Sequence, residues 1–557
     1  MNTIIRSLLI LLWLAFSAMA AIVPYEANAC GPADSGSPCG GAGVASQGNS
    51  SGTNQGAGNP INVITGNKYE HEVDMPALPG VLGLEIGRYY NSTLSSIKAS
   101  GGTIGRGWRL SYETRLYPVG NTLQIMQADG TRIIFERNPQ DPSLCATRDP
   151  AHGTVRTTLG PDGVIYIWTW PNGRKFAFDA QGKLTYIQAP TGEVVSLDYN
   201  PENELIRVTD PEGRSLTLHY ADRAQTSAKR PDQFHGVQYI DSPVGRFTYG
   251  YGSTPPKGYT ENRQPLKADL VSVTNPNGVS RRYVYEDARY PTLLTGILID
   301  STKSAESKGS IQRIRTWAYD AKGRGILSVL GKPRQRDARG AVVPGTGIGQ
   351  VNIDYTSPTT TTLTNSLGQK TIYTYTVIGN EHRLVRVTGA GCSSCGETNV
   401  RYGYDPLGRL VEKTTLSETG QPLQTTRTTR DRLGRVVSIS RNGYQNGKPE
   451  PAEHIVRYAY TGKAIEPDLI ARPGVVPGKE FITHITYNTE GQPTEVTESG
   501  FSPIDAKGRP QPTALTRTTT YTYQTLKGHS LLTQIDGPLP DGPTQSPVDS
   551  DITQFEW

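Results

Sequence analysis

The sequence predicts an all-β protein, an N-terminal β module followed by a long array of β-hairpins. Three observations carry this reading. The first is the stretch Tyr402-Gly-Tyr-Asp-Pro-Leu-Gly-Arg-Leu-Val-Glu-Lys. Tyr402 and Tyr404 stand two apart and so share one face of an extended strand. Asp405, Pro406 and Gly408 supply a tight reversal: the carboxylate bonds nearby backbone, the proline ring presets φ, and glycine accepts a positive φ. From Arg409 to Glu412 the apolar/polar alternation resumes, as in a second strand.

The second observation is recurrence. Trp317-Ala-Tyr-Asp-Ala-Lys-Gly-Arg, with Asp320 and Gly323, repeats the unit closely, and Asp431-Arg-Leu-Gly-Arg, with Gly434, keeps its turn. Turns at Asp179, Asp210 and Asp505 follow the same pattern, while Asn275, Asn365 and Asn488 substitute a residue of equal turn chemistry. Tyr-x-Tyr pairs recur at Tyr283/Tyr285, Tyr373/Tyr375, Tyr458/Tyr460 and Tyr521/Tyr523. The turn glycines Gly182, Gly213, Gly245, Gly278, Gly323, Gly368 and Gly408 lie 31 to 45 residues apart, a period typical of solenoids and propellers.

Composition is the third. Of 557 residues only 35% are hydrophobic, and 61 Gly and 40 Pro suit short strands joined by turns. Tyr outnumbers Phe 29 to 9, which suggests a sheet whose ring contacts must tolerate water at the hydroxyl. The net charge of +5 comes from interspersed charges, 56 basic against 51 acidic. Nucleic-acid binding would call for a concentrated basic patch, so a nucleic-acid partner is not expected.

In chain order, residues 1–20 carry one early charge, a short apolar run and Ala18-Met19-Ala20, the pattern of a cleaved signal peptide. The chain is therefore expected to be exported to the periplasm, cell surface or medium. Residues 21–58 read as a Gly/Ser-rich linker, in which Cys30 and Cys39 can close a disulfide loop after export. A lipidated Cys30 is the weaker alternative, and Gly48-Asn-Ser50-Ser-Gly52 matches a nucleophile elbow only by chance, having no flanking strand or helix. Residues 59–138 alternate strongly, include a hairpin at Asp129-Gly130, and read as a module capping the open end of the array. Residues 139–557 form the β-strip itself, which ends on an opening strand with no turn after it.

Three stretches make the reading specific: Asn59-Pro-Ile-Asn-Val-Ile-Thr-Gly-Asn-Lys, Arg88-Tyr-Tyr-Asn-Ser and Gly107-Trp-Arg-Leu-Ser-Tyr. They resemble the module that precedes the repeats of bacterial RHS proteins. The Tyr-x-Tyr-Asp…Gly-Arg units resemble that family's YD repeats. The resemblance runs from residue 59 to the C-terminus. It implies a β-strip spiralling into a hollow shell, which in secreted and contact-dependent members encloses a variable C-terminal toxin. Related shells occur in insecticidal toxin complexes and in teneurins. The plug-like core sequence, aspartyl self-cleavage site and toxin tip of longer members are not recognisable. The expected partner is accordingly a C-terminal toxin domain or a second chain that completes the shell.

Candidate chemistry is sparse. Cys392-Ser-Ser-Cys395 is flanked by loop and strand and lacks a second ligand pair, so a loop disulfide is expected ahead of a zinc or redox site, and Cys145 is left odd. The turn aspartates lie about 30 residues apart, too sparse for a calcium-binding β-roll. No HExxH and no P-loop occurs. The expectation is a scaffold with no catalytic residue, cofactor or metal. The alternatives are an adhesion module binding surface glycan through its Tyr and Thr face and, third, a hydrolase of envelope polysaccharide.

Overall fold

The computed structural model describes residues 55–557 apart from 100, 162, 224–232, 261–263, 304–308, 380, 394, 527 and 540–550. The expected signal peptide, most of the linker, and Cys30 and Cys39 lie outside the described residues. Within them the chain is all-β. The helical segments are single 3-10 turns such as Ser92–Leu94 and Pro150–His152, and no helix is long and apolar enough to cross a membrane.

Two bodies of sheet are present. A small N-terminal module holds the ribbon Gly56–Ala57/Ile61–Asn62 and a three-stranded antiparallel sheet of Tyr69–Met75, Ile86–Asn91 and Trp108–Leu110. Every later strand, from Arg115–Val119 to Ile552–Gln554, joins one long antiparallel strip in which neighbours in sequence are neighbours in space. Lys448–Pro449 is a side hairpin, and the strip passes directly from Val436–Gln445 to Glu453–Ala459. The sheet does not close as a barrel: among the described residues the first strand's ladder is to Thr122–Met126 and the last strand's to His529–Asp536, with none between the two.

By hydrogen bonding the module's own sheet ends before Arg115. The hairpin Thr122–Met126/Arg132–Arg137, which turns at Asp129 and Gly130 as its sequence suggests, pairs with Arg115–Val119 and is continuous with the strip. Strand composition explains the faces. Lys370–Ile378 alternates, burying Thr371, Tyr373 and Tyr375 while its other residues reach solvent or stay half-buried. One continuous apolar cluster runs from Ala57 to Tyr402 and holds Trp108, Trp168 and Trp317. A smaller one gathers Val456, Ile470 and Ile485.

The strip curls, and a recurring irregularity accounts for it. After the turns at Gly182, Asn203, Gly323, Gly379, Gly408 and Gly434 the return strand carries one extra residue: Thr185, Ile206, Ile326, Val385, Val411 and Val437 each fall out of register between two paired neighbours, whereas the ladders across the turns at Asp210, Asn275 and Asn365 keep register. A bulge bends its strand and increases local twist. Recurring at one edge of the strip, such bulges bend the sheet in one sense. The strip accordingly returns on itself. Its first strand meets the turn at Gly182, where Leu116 N–H donates to the Gly182 carbonyl at 2.9 Å. Later windings land on earlier turns: Arg409 Nη1 donates to the Arg148 carbonyl at 3.1 Å, and Leu532 N–H to the Thr191 carbonyl at 2.9 Å. Gln492 Nε2 joins both windings, donating to Pro190 O at 2.8 Å and Ser530 O at 2.9 Å.

The module does not sit at an end of the strip, where a cap was expected. It packs across strands in the middle, between about Val237 and Tyr375, because its buried Tyr90, Trp108 and Leu110 and the apolar face of those strands cover one another.

Candidate functional site: the repeat rung and the module seam

Each repeat turn is built by one aspartate. Asp320 Oδ1 accepts the Lys322 and Arg324 amides at 2.8 and 3.0 Å, its Oδ2 accepts Arg324 Nε at 2.8 Å, and Gly323 N–H donates to the Asp320 carbonyl at 3.1 Å. Asp405 and Asp431 repeat the arrangement, with Arg409 Nε at 2.6 Å and Arg435 Nε at 2.8 Å. Gly323, Gly408 and Gly434 take φ values of +75°, +81° and +87°, the left-handed region that side chains disfavour. Against burial, which would raise them, the amide and guanidinium donors of the turn arginine hold the Asp320 and Asp431 carboxyls below their ordinary range. A carboxylate so fully engaged is a structural acceptor, with no spare lone pair aimed at a substrate.

The tyrosine that precedes the turn binds the next rung. Tyr199, Tyr220, Tyr355, Tyr404 and Tyr460 donate their hydroxyls to the carbonyls of Leu184, Leu205, Gly325, Leu384 and Val436 at 2.9, 2.9, 2.7, 2.7 and 2.8 Å. In every one of these the acceptor is the residue immediately before the extra residue of a bulge. The bulge disrupts the ladder at that carbonyl, and the hydroxyl of the following unit satisfies it. The turn cation then covers the same ring: Lys183, Arg324 and Arg435 lie 5.1, 4.0 and 4.5 Å over Tyr199, Tyr355 and Tyr460. The excess of Tyr over Phe therefore reflects an internal bond and not a wet surface. Tyr373, Tyr375 and Tyr402 are 2%, 5% and 7% exposed, so these rings offer no stacking platform for a sugar.

The seam between module and strip is polar as well as apolar. Arg88, fully buried, places Nε 2.6 Å from Asp74 Oδ2 and Nη2 2.7 Å from Asp74 Oδ1. The same Nη2 donates to the Tyr283 hydroxyl at 2.7 Å, and the Tyr249 hydroxyl donates to Asp74 at 3.1 Å. Beside it Lys68 Nζ stands 2.8 Å from Glu70 and 4.1 Å over the Trp317 ring, while Arg315 bridges Glu70 and Glu72, and Arg281 reaches Glu72 at 2.7 Å. Burial lowers Lys68 to about 8 and raises Glu72. A second buried pair, Arg106 and Asp269, stands 3.6 Å apart, and burial raises Asp269 to about 6. Backbone bonds complete the seam: Gly325 N–H to Gly66 O at 2.8 Å, and Trp317 Nε1 to Asn59 O at 2.8 Å.

This seam went unread in the sequence, where Arg88 stood only as the first residue of Arg88-Tyr-Tyr-Asn-Ser and Asp74 was not singled out. Their partners lie 195 and 175 residues away. A charge at an inward position of a strand was the available signal.

Cys392 and Cys395 form a disulfide in the loop between Glu381–Gly389 and Val400–Tyr404, and Cys145 is a buried free thiol whose pKa burial pushes up. Among the described residues no three His, Cys, Asp or Glu side chains gather as a metal site. A groove of 860 Å³ lies under loop 252–257, where Ser272, Thr274, Ser280 and the Arg282–Asp300 ion pair line it.

Residues 58–135 match the family described as Domain of unknown function (DUF6531). Over 194 residues the chain is 24% identical to Double-stranded DNA deaminase toxin A of Burkholderia cenocepacia (strain H111), covering 34% of this chain and 12% of that protein. That relative is a toxin. Among solved structures, the Photorhabdus luminescens Tc holotoxin pore with a mutated TccC3 covers 86% of this chain and 26% of its own, at 10% identity and a TM-score of 0.39. A crystal structure of TcdB2-TccC3 covers 73% and 22%, at 14% identity and a TM-score of 0.28. This chain thus spans an eighth of the curated relative's length and about a quarter of these structures' chains.

Proposed function

We propose that this chain is a non-catalytic, exported scaffold of the RHS/YD-repeat type. In this reading it forms part of the wall of a β-shell that encloses a toxin and delivers it to neighbouring cells. The toxin would be a C-terminal domain or a second chain. The observation that carries the reading is the one-sided bulge with its tyrosine rung. A strip bent in one sense by recurring bulges acquires an inside and an outside, and its later windings register on its earlier ones. The aspartate, the turn arginine and the tyrosine of the repeat motif bond within the strip, which supports a structural role over a catalytic one. Sequence similarity to a bacterial toxin supports the class of cargo.

The test is to purify the protein from producing cells, measure its intact mass with its C-terminal peptide, and digest any co-purifying polypeptide with protease before and after mild denaturation. A polypeptide resistant until the wall is opened supports the enclosure. A chain recovered alone, or a companion digested equally in both states, would sink it.

A further inference from the structure

Between strands Gly325–Leu330 and Ile348–Ser357 the strip extends an arm, residues 331–347, of which 332–342 are all exposed. A connection of this length within a compact array is uncommon unless it has a task. The arm is not a loose loop. Asp337 builds in it the same turn as in the repeats, accepting the Arg339 and Ala341 amides at 2.9 Å each, and Gly340 N–H donates to the Asp337 carbonyl at 3.0 Å. Val343 N–H donates to Gln335 O at 3.0 Å, and Gly347 N–H to Lys332 O at 3.0 Å. Arg334 Nη1 ties the arm to Ser366 O at 2.6 Å.

Its charge is unlike that of the strip. Arginines of the strip are commonly paired with acids, as at Arg324, Arg409, Arg435 and Arg457. Lys332, Arg334, Arg336 and Arg339 have no acidic partner among the described residues, and the arm's one acid, Asp337, is consumed by its turn. Aliphatic side chains flank these cations. Val342, which pairs with Arg336 across the arm, is 40% exposed. Leu330 and Ile348, paired at its base, are 40% and 57% exposed.

We infer that this arm is a docking element for an anionic lipid surface. Cations with neighbouring aliphatic groups are what a bilayer interface rewards, the cations meeting lipid phosphates and the aliphatics entering the acyl boundary. Binding of single-stranded nucleic acid would favour aromatic rings for stacking, and the arm contains none.

The test is flotation of the full chain with vesicles of phosphatidylcholine containing about 30% phosphatidylglycerol, against phosphatidylcholine alone. Binding is expected only to the anionic vesicles and should weaken with salt. Joint replacement Lys332→Glu, Arg336→Glu and Arg339→Glu should lower partitioning roughly a hundredfold, whereas Arg336→Lys with Arg339→Lys should retain it. Ile348→Ser should weaken binding several-fold. Equal binding to both vesicles, or a charge-reversed variant that binds as the wild type, would overturn the inference. So would an unchanged Ile348→Ser, or duplex DNA bound more tightly than vesicles, the latter pointing to a nucleic-acid surface instead. An unaltered melting temperature in the charge-reversed variant separates loss of docking from loss of fold.

Discussion

The hydroxyl of Tyr355 donates to the carbonyl of Gly325 at 2.7 Å, while Arg324, the residue before that acceptor, lies 4.0 Å over the Tyr355 ring. Two units of the strip are joined by one side chain that both closes a backbone vacancy and receives a cation. Tyr355→Phe keeps the ring and removes the bond. It should lower stability by about 1 to 2 kcal/mol, the range for leaving a buried acceptor unmet. Urea unfolding would read the loss, and amide exchange should locate it in Gly325–Leu330.

Turn glycines should differ sharply in tolerance. A Cβ at Gly323 meets nothing closer than 3.6 Å, so Gly323→Ala carries only the strain of φ +75° and should cost about 1 kcal/mol. At Gly182 the same carbon would stand 1.8 Å from the Leu116 carbonyl oxygen. Gly182→Ala must push the first strand off its seat, and a loss of about 3 kcal/mol or more is expected. Paired melting curves of the two variants would show the contrast.

Breaking the seam on one side should be worse than removing it. Arg88→Met leaves Asp74 buried without its guanidinium, at an expected loss of about 3 to 5 kcal/mol. Adding Asp74→Leu should recover part of that loss, because the uncompensated charge is gone. A double-mutant cycle with limited proteolysis of residues 55–114 as the second readout tests both steps.

Two buried groups bend the pH profile in opposite directions. Burial lowers the His152 pKa, so the unfolded chain takes up its proton first, and stability falls as pH drops below the ordinary histidine value. Burial raises Asp269 from 3.8 to about 6, so the folded chain holds a proton that the unfolded chain releases. Its effect is to favour the folded state below its unfolded pKa, an advantage lost as pH rises through about 6 and amounting to on the order of 3 kcal/mol. Asp269→Asn should remove the acid-side gain, and His152→Gln the acid-side loss. Melting temperature against pH for both variants would separate the two slopes.

The disulfide closes a very short loop, so its contribution to stability should be modest. Cys392→Ser with Cys395→Ser should cost at most about 2 kcal/mol by loop-closure entropy. Denaturant midpoints with and without a reductant should coincide for the variant and differ for the wild type.

The local part of this architecture was open to reading and the non-local part was not. Asp405, Gly408 and Arg409 announce their turn because every bond in it spans four residues or fewer. All-β character followed from the Tyr-x-Tyr alternation. The acceptor of a rung tyrosine was hidden, because it lies 15 residues back for Tyr199, 20 for Tyr404 and 30 for Tyr355, as loop length varies. The bulges leave no mark in composition, since Ile326 and Val411 are ordinary strand residues. The position of the module was missed for the same reason: Thr361 bonds Val63 across 298 residues, and no periodicity encodes such a contact.

In every rung the acceptor carbonyl comes earlier in the chain than the tyrosine that claims it, Leu184 before Tyr199 and Val436 before Tyr460. The direction never reverses among these rungs, and it matters during synthesis. A ribosome delivers each vacancy first and its partner some tens of residues later, so each new hairpin is templated by the one already made. Most of the strip can thus form vectorially with short loop closures. The slow events are then confined to a few distant landings, Arg409 on Arg148 and Gln492 on Pro190, where a finished winding must find one laid down long before.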